Sequence, residues 1–243
     1  MSERFLIRFN LPHHASEEEA RGYLDEFEQI QRERVDRLRD RYSEEIRLLR
    51  GKRVLFLGDS LTSDNLGYRT SVSRAAALLA TDGSVSGATT ATLLPLARRR
   101  LDEARYDMIS LMLGANDSVT LTKKGRNQVC PDEYIANMEK LLEWARESGT
   151  PVLLLAITSV QEERFLRSFS GEGKSQTNQE IAEYNRRLAE LANRYGISMQ
   201  SHWWQTRDEM IEKDGIHLSL VGQEKLSEAW LCAASNLIKE KEV

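Results

Sequence analysis

The sequence predicts an α/β fold, an open parallel sheet covered on both faces by helices. Short continuous apolar runs recur at Val54-Leu55-Phe56-Leu57, Met108-Ile109-Ser110-Leu111-Met112-Leu113 and Val152-Leu153-Leu154-Leu155-Ala156-Ile157, the pattern of strands buried on both faces. Amphipathic stretches of helical length separate them. Polar clusters follow directly on these runs, at the C-terminal strand ends where open α/β sheets bind ligands.

The chain has 243 residues, 40% hydrophobic, 30% charged and 7% aromatic, which excludes a collagen, a disulfide mini-scaffold and a wholly disordered tail. A chain of this length buries roughly three quarters of its unfolded surface without metal or disulfide staples. The expected organisation is a strand and long charged helix over residues 1–51, a docking or dimerisation arm, followed by one large domain over 52–243.

In chain order, Phe5, Ile7 and Phe9 alternate with Arg4 and Arg8, a short strand pattern over 4–9 that Leu11-Pro12 ends. Ser16-Glu17-Glu18-Glu19 is a capping-box pattern, and no proline interrupts Glu17 to Arg50. Gly51 then stands at a C′ position, so the spacing predicts a helical rod of about 50 Å, with a possible break near Gly22. Its apolar positions Leu24, Phe27, Ile30, Val35, Leu38, Tyr42, Ile46 and Leu49 form a narrow stripe. That stripe either docks on the following domain or pairs with a second copy as a coiled-coil-like homodimer arm.

Beyond Gly51, weaker strands are expected at 83–86 and 197–200, and helices at 67–81, 90–105, 131–148, 177–195 and 219–240. Pro131 suits a first helical position, and Thr177-Asn178-Gln179-Glu180 is a further capping box. The segments Ser118–Val129, with Lys123, Lys124 and Arg126, and Ser159–Ser175, with Phe165 and Phe169, are long connections that read as pocket-shaping loops, a lid or solvated surface.

The first apolar run leads into Gly58-Asp59-Ser60-Leu61-Thr62, which presents a serine at a strand end. A second run leads into Gly114-Ala115-Asn116-Asp117, and Asp214-Gly215-Ile216-His217 precedes the last helix. Each cluster alone is also ordinary turn chemistry. A carboxylate three residues before a histidine can orient the imidazole through one ring nitrogen and leave the other to take a serine proton.

Together, over about 52–240, the clusters resemble the SGNH hydrolases, the GDSL family of esterases and lipases. Gly58-Asp59-Ser60-Leu61 matches that family's first block, Gly114-Ala115-Asn116-Asp117 its Gly-x-Asn-Asp block and Asp214-Gly215-Ile216-His217 its Asp-x-x-His block. Ser86-Gly87-Ala88-Thr89 is similar to the second block, with Gly83 as the competing glycine.

The resemblance implies a three-layer α/β/α domain with a flavodoxin-like parallel sheet. It also implies Ser60 as nucleophile, His217 as general base and then acid, and Asp214 as its orienting group. The Ser60 and Gly87 amides and the Asn116 side chain would form an oxyanion hole, while Asp59 and Asp117 hold their loops. The implied reaction is ester hydrolysis without metal or organic cofactor, on a short-chain or O-acetyl ester of a sugar or metabolite. The same triad could instead pass the acyl group to another alcohol as an acyltransferase, and the helical arm could make the protein a binding or assembly module.

His13 and His14 lie outside the region of resemblance and His202 has no metal-like partner spacing, so each reads as a surface or packing residue, while Trp203 and Trp204 read either as an acyl-pocket wall or as core. With 34 Lys+Arg against 38 Asp+Glu the net charge is −4, so nucleic acid is not an expected partner. Cys130 and Cys232 lack ligand spacing and read as reduced structural thiols. The N-terminus lacks a signal-peptide run and no uncharged stretch spans about 18 residues, so a cytoplasmic protein without membrane contact is expected.

Overall fold

The structure, a computed structural model, describes residues 17–201 and 205–242. The strand expected at 4–9, together with His13, His14, His202, Trp203 and Trp204, lies outside the described residues.

The three apolar runs form β1 (Arg53–Gly58), β3 (Met108–Met112) and β6 (Val152–Leu155), the middle of a five-stranded parallel sheet. The sheet's edges are β2 (Leu79–Ser84) and β8 (Met199–Gln200), in the order β2-β1-β3-β6-β8. Counting only these five strands, the order is second, first, third, fourth, fifth, the flavodoxin-like winding. Val54 pairs with both Ala80 and Met108, and Leu111 with Leu154, so the central strands are enclosed on both sides.

Helices α5 (Thr90–Glu103), α6 (Pro131–Glu147) and α8 (Asn178–Arg194) pack side by side in one layer. The other layer holds α4 (Tyr68–Ala76) and α9 (Leu220–Glu242), with α3 (Ser60–Ser63) between β1 and α4. Pro131 opens α6 and the Thr177 box caps α8, as the sequence signals require.

The first helical stretch of this domain is shorter than expected. Helix α4 ends where Ala77 turns left-handed at φ 49°, and Leu79 already starts β2, so the expected helix to 81 and strand at 83–86 are both displaced. As an edge strand β2 is largely exposed, Leu79 at 56%, which leaves it no apolar run to betray it.

The arm consists of α1 (Glu17–Arg41) and α2 (Ser43–Leu49). Its break falls at Tyr42, not near Gly22, which lies inside α1 with open space around it. Tyr42 leaves the helical region (φ −126°, ψ 37°), and Ile46 and Leu49 beyond it are buried, with α2 packed against α9. Val35 and Leu38 are buried as well, with α1 packed on α4, so the stripe is used within the chain. Leu24 alone among the stripe residues stays widely exposed, at 49%. Docking of the arm on its own domain is therefore what this chain shows.

Both long connections contain regular structure. Within 118–129, β4 (Thr120–Leu121) pairs antiparallel with β5 (Arg126–Asn127). The segment Ser159–Ser175 is not a loop: it holds α7 (Glu162–Phe169), a 3₁₀ turn at Ser170–Glu172 and β7 (Lys174–Ser175), which pairs with β4. Glu162 and Glu163 suit the first turn of α7, and the rings of Phe165 and Phe169, one turn apart, meet at a tilt of 41° with centroids 4.7 Å apart.

Cys130 and Cys232 are both free, in keeping with reduced thiols, and both exposed. Among the described residues no helix is long and apolar enough to cross a membrane.

The core is anchored where Trp230 of α9 stacks on Phe56 of β1 at 5.5 Å and donates from Nε1 to Ser110 Oγ of β3 at 2.9 Å. Trp230→Ala should cost about 3–5 kcal/mol in urea unfolding. Trp230→Phe keeps the stack but removes the bond to Ser110 Oγ, at a cost of about 1 kcal/mol. A Trp230→Phe variant as stable as the wild type would refute the role of the hydrogen bond.

Candidate active site

Ser60 stands at the C-terminal end of β1 as the first residue of α3, 7% exposed. Asp59 caps that helix: its backbone is extended and its Oδ1 accepts from the Leu61 amide at 2.9 Å. This lifts the serine to the rim of the sheet, at the head of a short turn.

His217 reaches Ser60 from a loop pinned on two sides. Ile211 bridges Leu218, and the Glu212 amide donates to the His217 carbonyl at 2.7 Å. Gly215 turns left-handed at φ 86°, and a Cβ there would fall 2.3 Å from the Phe165 amide nitrogen, a double demand for glycine. The Gln161 amide donates to the Gly215 carbonyl at 2.8 Å, so the segment around α7 braces the histidine loop.

The two polar ends of the imidazole are both engaged. His217 Nε2 lies 2.9 Å from Ser60 Oγ, and Nδ1 lies 2.6 Å from Asp214 Oδ2. Asp214 Oδ1 accepts from the amides of Ile216 and His217 at 3.0 and 3.1 Å. Burial pushes the Asp214 carboxyl up, but the bond to the His217 ring, the charge of that ring and the two amides outweigh it and hold the group below its usual range. An ionised Asp214 suits Nδ1–H as donor, which leaves Nε2 free to accept the serine proton.

Asn116 is half-buried in the loop after β3, and its Nδ2 donates one hydrogen to the Ala88 carbonyl at 3.0 Å. That bond ties the Asn116 loop to Gly87, which is exposed and turns left-handed at φ 77°. The Val85 amide donates to the Gly58 carbonyl at 3.0 Å, holding this second loop against the end of β1. Gly83, the competing glycine, is buried within β2, where a Cβ would lie 2.8 Å from Leu57 Cδ2. It is a packing glycine, whereas Gly87 sits on the loop bonded to Asn116.

Asp117 is buried and accepts from the Thr90 amide, at 3.0 and 3.1 Å, and from the Thr90 hydroxyl, at 2.5 Å. It thereby fastens the Asn116 loop to the start of α5. Burial pushes its carboxyl up to about 6, against the opposing Thr90 hydrogen bonds. Burial likewise pushes Asp59 up to about 7; the Leu61 amide opposes this, and the nearby Asp117 charge adds to it.

One buried residue that the sequence did not single out supports this site. Gln176 donates from Nε2 to the Ala115 carbonyl at 2.7 Å and to Ser118 Oγ at 2.8 Å. It is a polar residue just ahead of a capping box, and no periodicity marks it.

A family model described as the GDSL-like Lipase/Acylhydrolase family matches residues 56–225. No curated protein matches the chain by sequence. Among solved structures, the lipase/acylhydrolase from Enterococcus faecalis is similar, with TM-score 0.63 and 19% identity over 76% of this chain and 96% of the other. TesA matches with TM-score 0.60 and 21% identity over 76% of this chain and 99% of its own. The acetyl xylan esterase AlAXEase matches with TM-score 0.60 and 16% identity over 74% and 98%. At these identities the likeness is one of fold.

The raised Asp59 carboxyl has a thermodynamic signature. The folded state keeps this proton up to about pH 7 while the unfolded chain releases it near 3.8, so the contribution is present in full below pH 4 and is lost as pH rises to 7. Asp59→Asn keeps an acceptor for the Leu61 amide and removes that titration. Stability measured by denaturant at pH 4 to 7 should therefore fall less steeply in the variant, by roughly 1 kcal/mol per pH unit. Parallel curves for the two proteins would refute the assignment.

Proposed function

Because the chain belongs to the GDSL-like lipase/acylhydrolase family, we propose that it is a serine esterase that cleaves a short-chain carboxylic ester through an acyl-serine intermediate. The observation that carries this reading is the imidazole of His217, held between Ser60 Oγ at 2.9 Å and Asp214 Oδ2 at 2.6 Å.

In the proposed reaction Ser60 Oγ attacks the ester carbonyl carbon while His217 Nε2 takes the hydroxyl proton. Asp214 stabilises the resulting imidazolium and fixes the ring's orientation. The developing alkoxide is bound by the Ser60 and Gly87 amides and by the Asn116 hydrogen not given to Ala88. The intermediate collapses, the C–O bond to the alcohol breaks, and His217 returns the proton to the departing oxygen. Water then repeats the sequence on the acyl-serine and releases the acid.

The proposed substrate is an O-acetyl or similarly short ester of a sugar or small metabolite. In its support, an acetyl xylan esterase shares the fold, and the chain's low aromatic content offers little apolar surface for a long acyl chain. The free thiols of Cys130 and Cys232 favour a reducing compartment, and we place the enzyme in the cytoplasm on that ground.

Hydrolysis of p-nitrophenyl esters from acetate to palmitate, at pH 7 to 8, tests this reading. The wild type should prefer the shortest chains, and Ser60→Ala should lose at least about 10³-fold in kcat. Asn116→Ala should lose about 10²–10³-fold in kcat with little change in KM. Equal activity of Ser60→Ala and wild type would refute the role of Ser60, and an optimum on long chains would refute the substrate class.

A further inference from the structure

Ser60 and His217 come from two loops that the chain joins only over a long distance, 157 positions apart. Something must fix one loop against the other, and a side chain that bridges them comes from outside the family match. Arg34 of α1 is 1% exposed, and its Nη1 donates to the Leu66 carbonyl at 2.5 Å and to Ser71 Oγ at 3.1 Å. Its Nη2 donates to the Leu220 carbonyl at 3.3 Å. Leu66 lies six residues after Ser60 and Leu220 three after His217. One planar guanidinium thus holds the exit of both loops.

Gln31, one turn earlier and fully buried, donates to the Asn65 carbonyl at 3.0 Å and accepts from Ser71 Oγ at 3.1 Å. Within the domain, Gln223 of α9 completes the same buried cluster. It accepts from the Tyr68 amide at 2.8 Å and donates to Asp64 Oδ2 at 3.1 Å, while Asp64 Oδ1 accepts from the Leu66 amide at 2.9 Å.

Burying an arginine on an otherwise amphipathic surface helix is costly unless its donors are used. A tether alone needs no such group. The surface pair Arg37–Glu224, bidentate at 2.9 and 2.8 Å, already joins α1 to α9. What the buried fork adds is a fixed distance and angle between two loop backbones, which a rigid guanidinium sets better than a flexible ammonium. We propose that the arm is a working part of the active site, in which Arg34, assisted by Gln31, is a positioning residue that sets the Ser60 loop against the His217 loop. This rests on Ser60 and His217 acting together as proposed above.

The test uses the full-length chain and a fluorophosphonate probe. Phosphonylation forms the Ser60 Oγ–P bond, breaks P–F, releases fluoride and passes the hydroxyl proton to His217, so its rate reads the Ser60–His217 alignment. Arg34→Met should label about 10-fold more slowly and lose a similar factor in kcat on p-nitrophenyl acetate, with KM unchanged. Arg34→Lys, which cannot span both carbonyls, should recover only part of the loss. Arg37→Ala, which breaks only the surface tether, should label at the wild-type rate. If Arg34→Met does not fold, Gln31→Ala and Arg34→Lys decide, each expected about threefold slower in labelling and in kcat. Folded variants that match the wild type in labelling and kcat, whatever their loss in thermal stability, would overturn the proposal and leave the arm as a brace. A wild type that does not label at Ser60 would instead overturn the catalytic reading, and the positioning role with it.

Discussion

The contact between Ser60 Oγ and His217 Nε2 is made by two short loops with no covalent support for their separation, and the rest of the molecule is arranged to hold it. On one side, β1 delivers Ser60 to the rim of the sheet and the Asp59 cap starts α3 at that point. On the other, the Ile211–Leu218 bridge, the left-handed Gly215 and the Gln161 amide fix the loop that carries His217. The parallel sheet supplies the frame, since its strands run in one direction and bring their C-terminal ends to a single edge.

Three carboxylates close to this contact, Asp59 and Asp117 buried and Asp214 half-buried, are treated differently by their surroundings. Asp214 accepts from two amides and meets the imidazole, and these outweigh its burial and hold its carboxyl below the usual range beside the His217 ring. Asp59 and Asp117 are raised by burial to about 7 and about 6, and their visible work is to accept the Leu61 amide and the Thr90 amide and hydroxyl. Environment, more than residue type, thus separates the charge that serves the imidazole from those that fasten loops.

Much of this was legible in the sequence because it is written in local pattern. The runs at 54–57, 108–113 and 152–157 declare strands buried on both faces, and Ser60, Asn116 and Asp214 to His217 follow as short polar blocks. What stayed hidden depends on tertiary contact. Strand β2 lies at an edge and carries no apolar run, and α4 ends at a left-handed alanine where a glycine would have announced the stop. The break at Tyr42 likewise has no glycine or proline to mark it. Helix α7 has one buried side chain, Phe165, too few for a periodic signal. Gln31, Arg34 and Gln176 are polar side chains in the interior, and hydrophobic periodicity passes over them by construction. The site's blocks could be found from the sequence, but the groups that hold them could not.

The most direct test of the central claim is to trap the covalent intermediate. The protein is mixed with p-nitrophenyl acetate, quenched in acid within the first turnover, and the acetylated position is located by peptide mass spectrometry. The account predicts one acetyl group on the hydroxyl of Ser60, absent from Ser60→Ala and from His217→Ala. Acetylation at another residue, or none at Ser60 while product is released at the wild-type rate, would contradict it.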